Sequence, residues 1–82
     1  MNRQELITAV REELAVAAPD LEADVPEDAS LRSDLQVDSL AVLELVARLE
    51  YRFNASVPDE DWPRLGSIGE IADYLADSLV AS

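Results

Sequence analysis

An 82-residue chain with 18 acidic and 6 basic residues has room for one small, marginally stable domain, and its formal charge is −12. It contains neither cysteine nor histidine. That excludes disulfide staples, thiolate nucleophiles, cysteine metal sites and the commonest general base, so a self-contained hydrolase would have to work with carboxylates alone. The charge disfavours nucleic acid and anionic membranes and favours basic protein partners met by fast, salt-sensitive encounter, although it also serves plain solubility.

All six basic residues are arginine, which hints at coding bias in a GC-rich genome rather than at chemistry. No basic stretch followed by an apolar core opens the chain, and no apolar run approaches spanning length. A soluble, cytoplasmic, single-domain monomer is the expectation, with neither nucleic acid nor membrane as partner.

The first helix is expected from about residue 3 to about residue 17. Asn2 with Glu5 fits a capping box, Leu6, Ile7, Val10 and Leu14 form one apolar stripe, and Pro19 closes the segment. Residues 18 to 38 form a long connection rich in acids: Asp20, Glu22, Asp24, Glu27, Asp28 and Asp34. Connections of this length are uncommon in small domains and are often functional. Val25, Leu31 and Leu35 are the residues able to pin it to a core.

A second helix is expected from about Ser39 to about Phe53, with Asp38 as its N-cap. Leu45, Val46, Leu49 and Phe53 share one face. Leu40, Leu43 and Ala47 lie on another, with Val42 at its border. A helix in a small domain rarely needs two apolar faces for its own core, so the second is a candidate contact surface. Asn54 is placed to end this helix. Asp59, Glu60 and Asp61 then start a short turn of helix over about residues 59 to 65, which tolerates Pro63 near its start. After Gly66, Ser67 and Glu70 make another capping box, and Ile68, Ile71, Ala72, Leu75 and Leu79 carry a last helix over about residues 68 to 80. No alternating strand pattern competes, so the fold class is all-α.

The segment Asp34 to Leu40 places the Ser39 hydroxyl in the first turn of a helix, where free amides and the helix dipole favour an anion. With no histidine or lysine in the chain, nothing nearby can activate Ser39 as a nucleophile. It reads as an acceptor for another enzyme's chemistry. An Asp-Ser pair at a helix start is, taken alone, an ordinary cap.

The wider context changes that. Asp38-Ser39-Leu40, Glu44-Leu45-Val46, Leu49-Glu50, Phe53, the run Val57 to Asp61, and Asp73-Tyr74-Leu75 are spaced so that residues 31 to 75 resemble the acyl carrier protein family. The resemblance implies a four-helix bundle with a long first loop and a short third helix. It implies that Ser39 receives 4′-phosphopantetheine from coenzyme A through a separate magnesium-dependent phosphopantetheinyl transferase. The arm's thiol then holds an acyl group as a thioester, and the carrier itself catalyses nothing. The other implied partners are an acyl-loading ligase or acyltransferase and synthase or tailoring enzymes with basic docking patches. The implied contact residues are Asp38, Leu40, Leu43, Glu44, Ala47 and Glu50. Leu49, Phe53, Val57, Leu65, Ile71 and Tyr74 match positions lining the family's acyl cavity, with Trp62 near its mouth.

Some residues depart from the family pattern. Glycine is usual where Gln36 stands, and acids are common at Ala41 and Tyr51. Arg48 and Arg52 dilute the acidity of the second helix further. Trp62 replaces a smaller residue, either to narrow the cavity so that a short or polar cargo stays outside, or only to cover the third helix. These departures suggest a specialised polyketide-type pathway rather than primary fatty-acid synthesis. The rival readings are an aminoacyl or peptidyl carrier of non-ribosomal peptide synthesis and a non-carrying interaction subunit. A carboxylate hydrolase finds no converging pair of acids to support it.

Overall fold

Helix α1 (Arg3–Ala17) begins where its first amides find acceptors. Asn2 Oδ1 accepts from the Glu5 amide at 2.8 Å, and Glu5 Oε1 accepts from the Asn2 amide at 3.1 Å, closing the capping box. This computed structural model describes residues 2–21 and 25–81, so the loop acids Glu22 and Asp24 lie outside the described residues, as does the Leu79 side chain. Two further α-helices, α2 (Ser39–Phe53) and α3 (Ile68–Ala81), and a 3-10 helix (Asp59–Arg64) complete a four-helix, all-α fold.

The third element is 3-10 rather than α because Pro63 has no amide to donate and sits inside it. Its bonds span three residues, from the Asp61 amide to the Pro58 carbonyl and from the Leu65 amide to the Trp62 carbonyl, both 2.9 Å. It ends at Arg64, and α3 runs one residue beyond the expected end. Helix α2 stops at Asn54, whose left-handed backbone (φ 52°, ψ 46°) lets the Ala55 amide reach back to the Glu50 carbonyl at 3.0 Å.

Leu6, Ile7, Val10 and Leu14 of α1 form the floor of the core, which α2 covers with Leu45, Val46 and Leu49 and α3 with Ile68, Ile71, Ala72 and Leu75. Helix α1 packs against both α2 and α3. The long loop joins through buried Val25, Leu31 and Val37 and half-buried Leu35. It is also stitched by its backbone. The Leu31 amide donates to the Gly66 carbonyl at 2.9 Å, and the Gly69 amide donates to the Glu27 carbonyl at 2.8 Å. A side chain at position 69 would crowd that contact, since a Cβ there would lie 3.3 Å from the Glu27 carbonyl oxygen. Arg3 ties the same corner together, 3.1 Å from Glu27 and 2.9 Å from Asp73.

Candidate functional site

The loop delivers Ser39 to the surface between two anchors. Val37 is buried and its amide donates to the Leu31 carbonyl at 2.7 Å. Asp38 caps α2 by accepting from the Ala41 amide at 2.8 Å. Ser39, exposed between them, is the first residue of α2. The other helix-start serine, Ser67, is buried and bonded to Glu70, with its Oγ accepting from the Glu70 amide and its hydroxyl donating to Glu70 Oε1. The turn before Ser39 is held by Asp34, which accepts from the Ser30 amide at 2.9 Å. Gln36 closes the turn in the left-handed region at φ 55°.

The face of α2 that continues from Ser39 is open. Leu40 is 77% exposed and Leu43 52%, and Glu44 and Ala47 are also at the surface. A shallow depression beside Ser39 is lined by Ala17, Asp38, Leu40, Ala41 and Glu44. Glu50 does not join this face. It is half-buried, and its Oε2 accepts from the Val57 amide at 2.8 Å, so its carboxylate secures the loop after α2 instead of rimming the contact surface. Tyr51, 92% exposed, does extend the face. It stands four residues after Ala47, a spacing that puts both on one side of the helix.

Arg48 and Arg52 turn toward α1. Arg52 lies 2.9 Å from both Glu12 and Glu13, and the hydrogen bonds it donates to Glu13 and then to Glu12 hold its guanidinium above the ordinary arginine range. Arg48 approaches Glu13 at 3.5 Å and Glu44 at 3.7 Å. The carboxylates that offset these cations come mainly from the neighbouring helix.

The proposed cavity residues come together as part of one core. Leu49, Val57, Leu65, Ile71 and Tyr74 are buried, and Phe53 and Trp62 are half-buried against them. The depressions described on the surface, such as that between α1 and the loop around Leu14, Leu21 and Val25, are lined by other residues. Tyr74 is fixed in place. Its hydroxyl donates to Asp61 Oδ2 at 2.7 Å, the Arg64 guanidinium lies 4.9 Å over its ring, and the bond to Asp61 and then burial raise the phenol above its usual pKa. The described residues include no cluster of His, Cys, Asp or Glu suited to a metal and no helix long and apolar enough to cross a membrane.

A small all-α bundle with an exposed serine at the start of its second helix is compatible with a carrier domain, and comparison with known proteins supplies the family. The family described as "Phosphopantetheine attachment site" matches residues 4–75. An acyl carrier protein of Streptomyces coelicolor is 41% identical over 81 residues, covering 98% of this chain and 88% of its own. One from Acidothermus cellulolyticus is 30% identical over 82 residues, covering 100% and 98%. Among solved structures, a putative acyl carrier protein from Anaplasma phagocytophilum superposes with a TM-score of 0.81 at 27% identity, covering 94% of this chain and 91% of its own. The acyl carrier protein from Enterococcus faecalis gives 0.76 at 30% identity, covering 95% and 99%. This chain belongs to the acyl carrier protein family. Its prosthetic group is therefore a covalently attached 4′-phosphopantetheine, and its role is that of a carrier.

Proposed function

We propose that Ser39 is the attachment point of the arm and that the outer face of α2 is where partner enzymes dock. The observation that carries this reading is the exposed hydroxyl at the first position of α2, next to a capped and anchored turn. The site suits a phosphodiester. The first amides of a helix have no intrahelical partner, and Asp38 occupies only the one at Ala41. The remaining amides and the helix dipole favour a single negative charge, while the Asp38 carboxylate opposes it in part. The bound arm supplies a thiol that a chain without cysteine lacks.

Asp38, Leu40, Leu43, Glu44 and Ala47 form the docking face, which Tyr51 extends. Its two exposed leucines supply contact area, and Asp38 and Glu44 steer basic partners. Those partners are a phosphopantetheinyl transferase, a loading ligase or acyltransferase, and synthase or tailoring enzymes. The thin acidity of α2 and the presence of Trp62 favour a specialised polyketide-type pathway with a short or polar cargo. The test is to incubate the protein with coenzyme A, magnesium and a broad-specificity transferase, then fragment it. Mass added on a peptide at Ser39 supports the proposal, and mass added at another serine, or nowhere, contradicts it. Offering a candidate ligase acyl and amino acids in parallel separates acyl from aminoacyl carriage.

A further inference from the structure

Glu44, an acid of the proposed docking face, has a cation of its own chain beside it. Arg48 follows it by one helical turn, and Arg48 Nε stands 3.7 Å from Glu44 Oε2. That separation is too long for a hydrogen bond, and Nε is buried without a partner among the described residues. The other side of the guanidinium reaches α1, where Nη1 lies 3.5 Å from Glu13 Oε1. Arg52 holds the same Glu13 more closely, at 2.9 Å. Arg48 therefore makes two loose ion pairs. Of their carboxylates Glu44 is the accessible one, its side chain 53% exposed against 17% for Glu13. The guanidinium also borders the docking face, since one depression is lined by Glu13, Glu44, Ala47, Arg48, Tyr51 and Arg52.

A partner that brings a cation to Glu44 must draw the carboxylate away from Arg48 and then sit beside a guanidinium of its own sign. A partner that brings an uncharged side chain to the same place disturbs neither group. Selectivity between partners commonly combines such a repulsive element with the attractive ones. Arg52 is engaged elsewhere, held at 2.9 Å by both Glu12 and Glu13 of α1. We propose that Arg48 is a selectivity residue of the docking face. It masks Glu44 against partners that carry lysine or arginine there, and leaves the face open to partners that meet Glu44 with an uncharged side chain.

The inference rests on the reading of the outer face of α2 as the docking surface. The probe is a broad-specificity transferase chosen for a basic docking patch, and the readout is kcat/KM for transfer to the intact protein at low and high salt. Circular dichroism checks the fold of each variant, and the tie from α1 to α2 through Arg52 survives the loss of Arg48. Arg48→Gln should raise kcat/KM about two-fold at low salt, the scale of an ion pair one turn apart on a helix. The gain should vanish at high salt. Arg64→Gln removes the same charge from the 3-10 helix and should give no comparable gain. In a Glu44→Gln background the gain from Arg48→Gln should shrink. Equal gains from Arg48→Gln and Arg64→Gln, an undiminished gain without Glu44, or no gain at all overturns the masking role and leaves the docking face standing. If Glu44→Gln changes nothing even in the Arg48→Gln background, the docking reading falls at Glu44, and this inference with it.

Discussion

Gln36 stands three residues before the proposed attachment serine with φ at 55°, and its side chain is exposed. An L-residue in the left-handed region is disfavoured by roughly 1–2 kcal/mol, whereas glycine enters it freely. Glycine also has more backbone freedom to lose on folding, which costs about 0.5–1 kcal/mol relative to alanine. The comparison of Gln36→Gly with Gln36→Ala isolates the backbone term, because neither substitution removes a buried contact. The two contributions leave the glycine variant ahead of the alanine variant by about 0–1.5 kcal/mol, with mid-range values giving about 0.75 kcal/mol. For a domain of this size the mid-range value corresponds to roughly 3–6 °C in melting temperature. Urea and thermal unfolding followed by circular dichroism measure it, with the change in midpoint at constant m-value as the readout. An alanine variant more stable than the glycine variant would refute the reasoning, since that is the ordering for a residue in right-handed or extended backbone.

Other predictions follow from the caps, the charge and the buried phenol. Asp38→Ala removes the acceptor for the Ala41 amide and is expected to destabilise by ~1 kcal/mol, while Asp38→Asn, which keeps an acceptor, costs only a few tenths; equal losses in urea unfolding would mean that charge rather than capping matters. With 18 acids against 6 bases, repulsion outweighs the surface ion pairs, so moderate salt should raise the melting temperature, and a fall would show that the pairs dominate. The raised pKa of Tyr74 means that the folded state favours the neutral phenol; its contribution is complete below the unfolded value near 10 and is lost as pH climbs through the folded value. Tyr74→Phe should therefore weaken the alkaline loss of stability and cost about 1 kcal/mol at neutral pH, and an unchanged alkaline limb would refute the assignment.

The parts of this molecule that were legible in its sequence are those governed by local spacing. The stripe from Leu6 to Leu14 marks α1 without ambiguity, and Asn2 and Asp38 cap the helices they precede because capping needs only a short polar side chain at the right offset. The second apolar face of α2 was likewise visible as a pattern, and Leu40 and Leu43 are exposed on it. Contacts that depend on how segments meet were not visible. Glu50 shares a sequence neighbourhood with the contact face, but its bond to the Val57 amide requires the chain to turn back after Asn54. Arg48 and Arg52 read as charges diluting α2, whereas their partners Glu12 and Glu13 lie on α1, and only the packing of the two helices brings them together. Glutamine has no special tendency to left-handed backbone, so the residue itself did not announce the turn at Gln36; the pointer was the glycine usual at that place in the family. Trp62 was noticed for its size, but the burial of its Nε1 depends on the packed ring.

Intact mass of a Ser39→Ala variant, processed by transferase and coenzyme A beside the unaltered chain, addresses the attachment proposal most directly. Ser39 is exposed and its hydroxyl does not serve as the α2 cap, so the variant should fold with unchanged helix content. The unaltered protein should gain one phosphopantetheinyl group and the variant none. A variant that folds normally and gains the same mass would contradict the account.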